Sequence, residues 1–253
     1  MKCGILFNGK ANFFKPYLEW ILNFSNNEDV CEISGIHTND VEYFKRYFGD
    51  STPLLVDDPS QILENSDIVY SLGYWKILKK PDIQKVPLGI VNFHHSHRLK
   101  YKGRHCATWA IRNNEEFHGS TMHFIDHRVD EGLIIDTDKF KIEQHHTAED
   151  LFFLANETGL GLLKKNFRKT LDQAGLDFKE KELKCFTYKR KDLSHEISST
   201  FFTDEINLLK EIRSLTFSNK PAPFVIIGNQ KIYLKLEEYD TGLLTEKIDE
   251  TRN

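Results

Sequence analysis

The chain has 253 residues, of which 40% are hydrophobic and 12% aromatic, and its formal net charge at pH 7 is −4. This length and apolar content are sufficient for one large domain, or for a main domain with a small extension. The slightly acidic charge provides no global field that would attract a polyanion, which argues against a large nucleic-acid footprint.

The cysteines and the apolar segments indicate the cellular compartment. The four cysteines are far apart and have no CxxC spacing, so they favour neither a zinc knuckle nor a disulfide framework and indicate a reducing compartment. The first apolar run stops at Asn8, well short of a secretory signal. No segment approaches the roughly 18 apolar residues of a membrane span. We therefore expect a cytoplasmic protein.

Short apolar runs alternate with amphipathic stretches in the first part of the chain. The pattern predicts strands at 3–7, 30–36, 67–72 and 86–93, a short apolar run at 54–56, and helices at 13–24, 41–48 and 59–65. This alternation is typical of βαβ units and a parallel sheet. Ligands of such sheets bind outside the carboxyl ends of the strands. Asn92 and His94 lie at such an end.

The second part of the chain predicts a helix at 105–114 and strands at 119–125 and 133–142. Thr147 and Asp150 have the spacing of a capping box, which opens a long helix expected to end near Gly175. The charged segment 179–184 is the best candidate for a boundary, dividing the chain into 1–180 and 181–253. In the second portion we expect a helix at 203–214 and a hairpin whose strands, 224–227 and 231–236, flank a three-residue turn.

Three polar residues are candidates for chemistry. Asn92 and His94 are two residues apart, so both face the same side of a strand while Phe93 faces the core. Asp130 follows a strand and precedes Gly132. Each residue also has a purely structural interpretation. Polar residues at strand ends can hydrogen-bond to the backbone of the next loop, and Asp is common in turns. If they meet, they form a proton-transfer and oxyanion-stabilising site.

These segments, taken together, resemble the folate-dependent formyltransferases. The resemblance covers about residues 66–160 and rests on the order and spacing of Asn92-Phe93-His94, Ser96, Tyr101-Lys102-Gly103, Trp109-Ala110-Ile111 and the segments 119–124 and 129–135. The family includes glycinamide ribonucleotide, methionyl-tRNA and nucleotide-sugar formyltransferases. The resemblance implies a Rossmann-like, mostly parallel α/β sheet flanked by helices, with N10-formyltetrahydrofolate as formyl donor and no metal.

The resemblance also implies that Asn92, His94 and Asp130 are the catalytic trio. An amine that attacks a formyl carbon creates an oxyanion, which an Asn amide and a protonated imidazole can stabilise. The Asp either orients and charges the His or helps to move the proton of the amine. The residue types therefore suit the implied reaction.

The donor site implied by the resemblance comprises Trp75, Lys76, Ile77 and Leu78, with the loop Asp126, His127 and Arg128. Trp75 and Ile77 are alternatively core residues of a strand-to-helix turn. The Lys76 side chain could bind a carboxylate tail or a substrate phosphate, and its alternative is a solvent-exposed position without a ligand.

The acceptor is expected to contact Tyr74, Tyr101, Lys102, Gly103, Arg213 and Phe217. The segment 212–217, with the hairpin that follows, resembles the short tail of nucleotide-sugar formyltransferases, which seats the nucleotide and can build a dimer. Phe217 is either a stacking partner for a base or a core residue. Residues 181–253 carry 12 basic and 12 acidic residues, a neutral balance that weighs against tRNA.

We therefore expect residues 1–180 to form a formyltransferase catalytic domain and 181–253 a helix-and-hairpin extension. The expected activity is formyl transfer to the amine of a nucleotide-linked, dTDP-linked, amino-dideoxy sugar for lipopolysaccharide O-antigen, by a homodimer without nucleic-acid or membrane partners. Within the family, glycinamide ribonucleotide and methionyl-tRNA are the alternative acceptors. The loop after residue 7 lacks a fuller glycine-rich phosphate loop, which counts against the former.

Two readings from other classes remain open. The histidines around 94–97, with Asp130 as a carboxylate ligand, are also suited to a metal-dependent hydrolase. That reading leaves Asn92 and the Tyr101–Gly103 segment unexplained. A non-catalytic nucleotide-sugar or folate binder that keeps the fold is the other alternative, against which the intact trio argues.

Overall fold

The computed structural model describes residues 1–10 and 12–237, so the rest of the expected C-terminal extension lies outside the described residues. The strands are β1 (Lys2–Phe7), β2 (Glu32–Thr38), β3 (Ile68–Leu72), β4 (Ile90–His94), β5 (Tyr101–Gly103), β6 (Phe117–Phe124), β7 (Ile134–Lys141), β8 (Phe186–Tyr188), β9 (Phe224–Ile227) and β10 (Gln230–Tyr233). The α-helices are α1 (Lys15–Glu28), α2 (Val41–Tyr47), α3 (Pro59–Asn65), α4 (Lys80–Ile83), α5 (Cys106–Arg112), α6 (Ala148–Asp172) and α7 (Glu205–Leu215).

The main sheet has the strand order β2-β1-β3-β4-β6-β7. The first four of these strands are parallel, whereas β6 and β7 join as an antiparallel pair beyond β4. The expected Rossmann-like, mostly parallel α/β fold is confirmed. Strand β4 lies between β3 and β6, which places its carboxyl end, and therefore Asn92 and His94, in the interior of the sheet.

Side chains alternate between the two faces of the sheet, and helices cover both faces. On β1, Ile5 and Phe7 pack into the larger core together with residues of α1 and α6, whereas Leu6 packs into a second cluster with Ile62 and Leu63 of α3. This two-residue period follows from strand geometry. Because both faces are buried, the strand ends are held at fixed positions.

Several element boundaries differ from the sequence expectations. The apolar run at 54–56 overlaps the end of the 3-10 helix Gly49–Leu54, and Leu55 makes an isolated bridge to Ile36. Strand β4 begins at Ile90 rather than near residue 86, since Pro87 lacks a backbone N–H. The hairpin turn has two residues rather than three, with Gln230 paired to Ile227.

The chain beyond the expected boundary at residue 180 returns to the main domain. The predicted capping box is confirmed by reciprocal hydrogen bonds between Thr147 and Asp150, and α6 ends at Asp172. Strand β8 then pairs in parallel with β5. Further along, Leu215 of α7 and Val225 of β9 pack together in a small separate cluster. Among the described residues, no helix combines the length and apolar character that a membrane span needs.

Candidate active site

Two cavities meet at the carboxyl end of β4. The large cavity has a volume of about 450 Å³ and is lined by His94 of β4 and by residues of α5, α6 and the C-terminal portion. The small cavity, of about 120 Å³, is lined by Asp130 and by the segments 76–78 and 125–129. Asn92 and Tyr74 line both cavities. A group bound in one cavity would therefore face a group bound in the other across Asn92.

The predicted orientation of the strand-end residues is confirmed. Phe93 is buried and packs edge-on against Tyr17, with ring centroids 5.0 Å apart. Its neighbours Asn92 and His94 project the opposite way, because successive side chains on a strand alternate between faces.

His94 is held by contacts at both ring nitrogens. Its Nε2–H donates to the carbonyl oxygen of Tyr101 at 2.6 Å, and its Nδ1 lies 3.5 Å from Oδ2 of Asp130. Burial favours the neutral ring, but the Asp130 carboxylate, the Cys106 thiol and the Tyr101 carbonyl outweigh it and raise the pKa of His94 to about 10. The ring is therefore an imidazolium at neutral pH.

Asp130 is positioned by the backbone of β5. It adopts a left-handed conformation with φ of 53°, which Asp tolerates better than most residues. The N–H of Gly103 donates to its Oδ2 at 2.8 Å, the same oxygen that faces His94. The structure thus brings His94 and Asp130 into contact, with Asn92 beside them at the junction of the two cavities.

His123 is a further site residue that the sequence analysis did not single out. It is the cross-strand partner of Asn92 on β6, and its Nε2 lies 3.2 Å from Asn92 Nδ2. Its Nδ1–H donates to the Phe124 carbonyl at 2.8 Å, so Nε2 is the acceptor. Burial outweighs the attraction of Asp130 and lowers the pKa of His123 to about 4. The signal was available in the pairing of strands, which places His123 opposite Asn92.

The small cavity gathers six of the seven expected donor-site residues, namely Lys76, Ile77, Leu78, Asp126, His127 and Arg128. Ile77 is 76% exposed and so is not a core residue. Trp75 lines neither cavity and instead stacks on His37, with ring centroids 5.6 Å apart.

The large cavity contains three of the expected acceptor-binding residues, namely Tyr74, Gly103 and Phe217. Phe217 also packs edge-on against Phe152, a second aromatic residue of the lining, at 5.5 Å between centroids. Phe217 therefore presents an aromatic ring at the cavity wall.

The other three expected acceptor-binding residues are engaged by other parts of the protein. The Tyr101 hydroxyl donates to Glu115 at 2.6 Å, and Lys102 forms an ion pair with Glu131. Arg213 donates to the carbonyl oxygen of Glu143 at 3.1 Å. None of the three lines either cavity, so a direct contact with the acceptor stays a prediction for them.

The mouth of the large cavity is positively charged. Arg104 and Lys220 are exposed lining residues, and no carboxylate of the described residues lies within ion-pair distance of either. Burial, reinforced by these cations, lowers the pKa of His105. An anionic group entering this cavity would meet positive charge that no described carboxylate neutralises.

The histidine-rich segment does not form a metal-binding group. Within the residues that the structure describes, no cluster of three or more His, Cys, Asp or Glu side chains has the arrangement to hold a metal ion. His94 is instead engaged with a backbone carbonyl and Asp130, and His123 with Asn92.

Residues 60–158, which contain the whole trio, match the formyl transferase family. That segment of the chain is similar to a formyl transferase domain. Among curated relatives, methionyl-tRNA formyltransferase of Clostridium tetani is 28% identical over 184 residues, which cover 71% of this chain and 59% of that protein. The chain thus matches little more than half the length of that formyltransferase.

Solved formyltransferase structures share the fold over nearly the whole chain. WlaRD, a sugar 3N-formyl transferase determined with dTDP and 5-N-formyl-THF, has a TM-score of 0.75 and 24% identity, covering 95% of this chain and 91% of that one. The N-formyltransferase of Helicobacter canadensis, in complex with folinic acid and dTDP-3-aminofucose, has a TM-score of 0.70 and 24% identity, covering 94% and 92%. The expected resemblance to folate-dependent formyltransferases is confirmed.

Proposed function

We propose that this formyltransferase moves a formyl group from N10-formyltetrahydrofolate to the amine of a dTDP-linked amino-dideoxy sugar. One observation carries the proposal: a small and a large cavity meet at Asn92, where His94 and Asp130 are 3.5 Å apart. A reaction that transfers one carbon between two bound molecules needs two adjoining binding sites, with the catalytic residues where the two sites meet. The comparison with the sugar enzymes supports the choice of substrates.

The small cavity is proposed as the donor site. Ile77 and Leu78 offer apolar contacts to a flat ring, and Asp126 with the surrounding backbone offers hydrogen-bonding groups to its polar edge. These are the features that a reduced pterin requires. The presence of 5-N-formyl-THF in the WlaRD structure supports this assignment.

The large cavity is proposed as the acceptor site. Phe217 is available to stack on a base, and Arg104 with Lys220 would attract a diphosphate. The complex of the Helicobacter canadensis enzyme with dTDP-3-aminofucose supports an acceptor of this class.

The reaction follows from the placement of the trio. The amine nitrogen of the sugar forms a bond to the formyl carbon, and negative charge develops on the formyl oxygen. The Asn92 amide and the His94 imidazolium would stabilise that charge. Asp130 would accept the proton released by the amine and return it to N10 as the carbon–N10 bond breaks. The products are tetrahydrofolate and the N-formylated sugar.

Methionyl-tRNA is the second candidate acceptor, because the curated relative from Clostridium tetani is a methionyl-tRNA formyltransferase. The neutral charge of residues 181–253 argues against tRNA, whose phosphates call for a basic surface. Glycinamide ribonucleotide is the remaining family alternative.

The proposal extends to the setting of the enzyme. We expect a cytoplasmic homodimer that acts in the synthesis of lipopolysaccharide O-antigen. The C-terminal portion exposes large apolar side chains that a partner copy would cover, namely Ile206, Leu209, Ile226, Ile227 and Tyr233.

The deciding experiment incubates the purified protein with N10-formyltetrahydrofolate and a panel of dTDP- and UDP-linked amino sugars. Mass spectrometry should detect one added formyl group on a dTDP-linked sugar, together with an equal amount of tetrahydrofolate. Parallel reactions contain methionyl-tRNA, glycinamide ribonucleotide or no acceptor. Formylation of methionyl-tRNA alone, or release of formate without any acceptor dependence, would overturn the proposal.

A further inference from the structure

Glu131 is the centre of an ion cluster next to the catalytic trio. One of its carboxylate oxygens accepts from Lys102 Nζ, and the other lies 3.2 Å from Lys181 Nζ. Lys181 also donates to the backbone carbonyl of Glu131. The Lys102 side chain is 10% exposed and that of Glu131 25% exposed, so solvent screens their pairing only in part. Glu131 lines neither cavity.

The ion pair between Lys102 and Glu131 adds a second contact beside the hydrogen bond that holds Asp130. Gly103 donates its N–H to Asp130, and the preceding residue on β5, Lys102, pairs with the residue that follows Asp130. Two adjacent ties therefore join β5 to the loop that carries Asp130. Two neighbouring contacts fix both the distance of that loop from β5 and its rotation, whereas a single hydrogen bond would leave the loop free to rotate.

Residues 179–188, here called the strap, complete the arrangement. The N–H of Lys179 donates to the Ile134 carbonyl at 2.9 Å, and β8 pairs with β5 at the far end of the strap. A Cβ at Gly103 would come within 2.3 Å of the Tyr188 carbonyl oxygen, so strap and β5 approach as closely as only glycine permits. The strap thus contacts both segments that hold Asp130.

We propose that Glu131, held by Lys102 and by Lys181 of the strap, is a positioning residue that keeps the Asp130 carboxylate against His94. Its link to turnover rests on the proposed function, whereas its effect on the His94 ring does not. Loss of the Glu131 charge would release Lys102 and Lys181 and let the loop carry Asp130 away from the imidazole.

The groups around His94 make it a sensitive reporter of that movement. The titratable or charged groups that face it or its immediate neighbours are Asp130 from the loop, Cys106 from α5, His95 directly after β4, His118 and His123 from β6, and Lys181 from the strap. Among them, Asp130 is the carboxylate in contact with the ring. If Asp130 recedes, burial prevails and the pKa of His94 falls.

The test is a titration of the His94 ring by NMR in the ligand-free protein, comparing the wild type with Glu131→Gln. Glutamine keeps the size and hydrogen-bonding capacity of the side chain and removes its charge. We expect the His94 midpoint to fall by about one pH unit. In turnover assays, kcat should fall roughly ten- to hundredfold with little change in KM for either substrate.

Glu211→Gln is the matched control. Glu211 pairs with Arg112 at 2.7 Å and its side chain is 14% exposed, so the substitution also removes a largely buried ion pair. It should lower the melting temperature without moving the His94 midpoint. Should Glu131→Gln fail to fold, Lys181→Met, which removes only the contact from the strap, is expected to shift the midpoint in the same direction.

An unchanged His94 midpoint in a folded Glu131→Gln protein would overturn the positioning role, whatever the activity. Failure of the wild-type protein to formylate any sugar would overturn the proposed function and leave the titration valid. A lower melting temperature of Glu131→Gln without a shift of the His94 midpoint would mean that the cluster only stabilises the fold, and this result would also overturn the inference.

Discussion

Asn92 and His123 are cross-strand neighbours whose side chains are joined by a hydrogen bond of 3.2 Å between Nδ2 and Nε2. Because the Phe124 carbonyl fixes the proton of His123 on Nδ1, the other ring nitrogen accepts one N–H of the Asn92 amide. His123 thus engages only one N–H of that amide, and Asn92 lines both cavities. A neutral imidazole therefore orients the group proposed to bind the oxyanion.

Replacing His123 with phenylalanine should release the Asn92 amide while keeping a ring in the core. We expect kcat to fall about tenfold, with KM nearly unchanged, because the amide is positioned for the transition state. His118→Phe is the control, since His118 is also buried on β6 but lines neither cavity. Steady-state kinetics of both variants check this expectation, and equal losses would contradict it.

Removal of the trio side chains should separate catalysis from folding. Asn92→Ala and His94→Ala are expected to lower kcat by about 10²- to 10³-fold, the usual effect of losing an oxyanion-stabilising group. Both residues line cavities rather than the apolar core, so both variants should fold. His94→Ala should melt at a lower temperature than Asn92→Ala, because it leaves the largely buried Asp130 carboxylate without its charged partner. Turnover within a few-fold of wild type in either variant would refute the assigned roles.

The charge of Asp130 should control the protonation of His94. In Asp130→Asn the largest of the interactions that raise the pKa of His94 is gone, while Cys106 and the Tyr101 carbonyl remain, so the pKa of His94 should fall clearly below its wild-type value. The wild type should keep the imidazolium until the pH approaches about 10. NMR titration of the His94 ring checks both statements. An Asp130→Asn protein whose His94 titrates at the wild-type midpoint would refute the electrostatic account.

The sequence was sufficient to predict the sheet and the meeting of Asn92, His94 and Asp130, because both depend on local signals. Asn92 and His94 end an apolar run, and Asp130 follows another, so their meeting at one sheet edge is a consequence of strand order. The contacts of the strap were harder to predict from the sequence. Its charged residues 179–184 are typical of a boundary, yet Lys181 pairs with Glu131 of the main domain.

Lys102 and Arg213 illustrate a second limit of the sequence. Both are cations in motif segments, which favours contact with an anionic acceptor. In the structure Lys102 is paired with Glu131, and Arg213 donates to the carbonyl oxygen of Glu143, so partners distant in the sequence engage both cations. Arg104 and Lys220, which do line the cavity, carry no local pattern that distinguishes them from solvated surface residues.

Neutralising the cavity mouth should weaken acceptor binding rather than chemistry. Arg104→Ala and Lys220→Ala are each expected to raise KM for the nucleotide sugar several-fold, about 1 kcal/mol for a charge contact at an exposed position, with kcat nearly unchanged. The effect should shrink at high salt. Lys164→Ala, at an exposed position of α6 outside the cavity, is the control. A KM that is insensitive to both Arg104→Ala and Lys220→Ala would place the anionic group elsewhere.

Buried neutral histidines should make the fold sensitive to mild acid. Burial lowers the pKa of His95 and His118 to about 3, whereas in the unfolded chain both titrate near 6.5. Below pH 6.5 the unfolded state therefore binds more protons, and each histidine removes about 1.4 kcal/mol of stability per pH unit. His94 does not offset this loss. Its pKa is raised, so its contribution is fully present below pH 6.5 and is lost only toward pH 10.

The window from pH 6.5 to 5 separates histidines from carboxylates, because carboxylates with lowered pKa, such as Asp136, begin to titrate only below it. His123 and the other histidines whose pKa burial lowers contribute to the same slope. Urea unfolding at several pH values should show a declining free energy of unfolding across this window. His118→Phe should flatten the slope by about one third to one half, since it removes one of the few buried histidines that resist protonation. A wild-type slope near zero between pH 6.5 and 5 would mean that these rings accept protons without unfolding the chain, contrary to their burial.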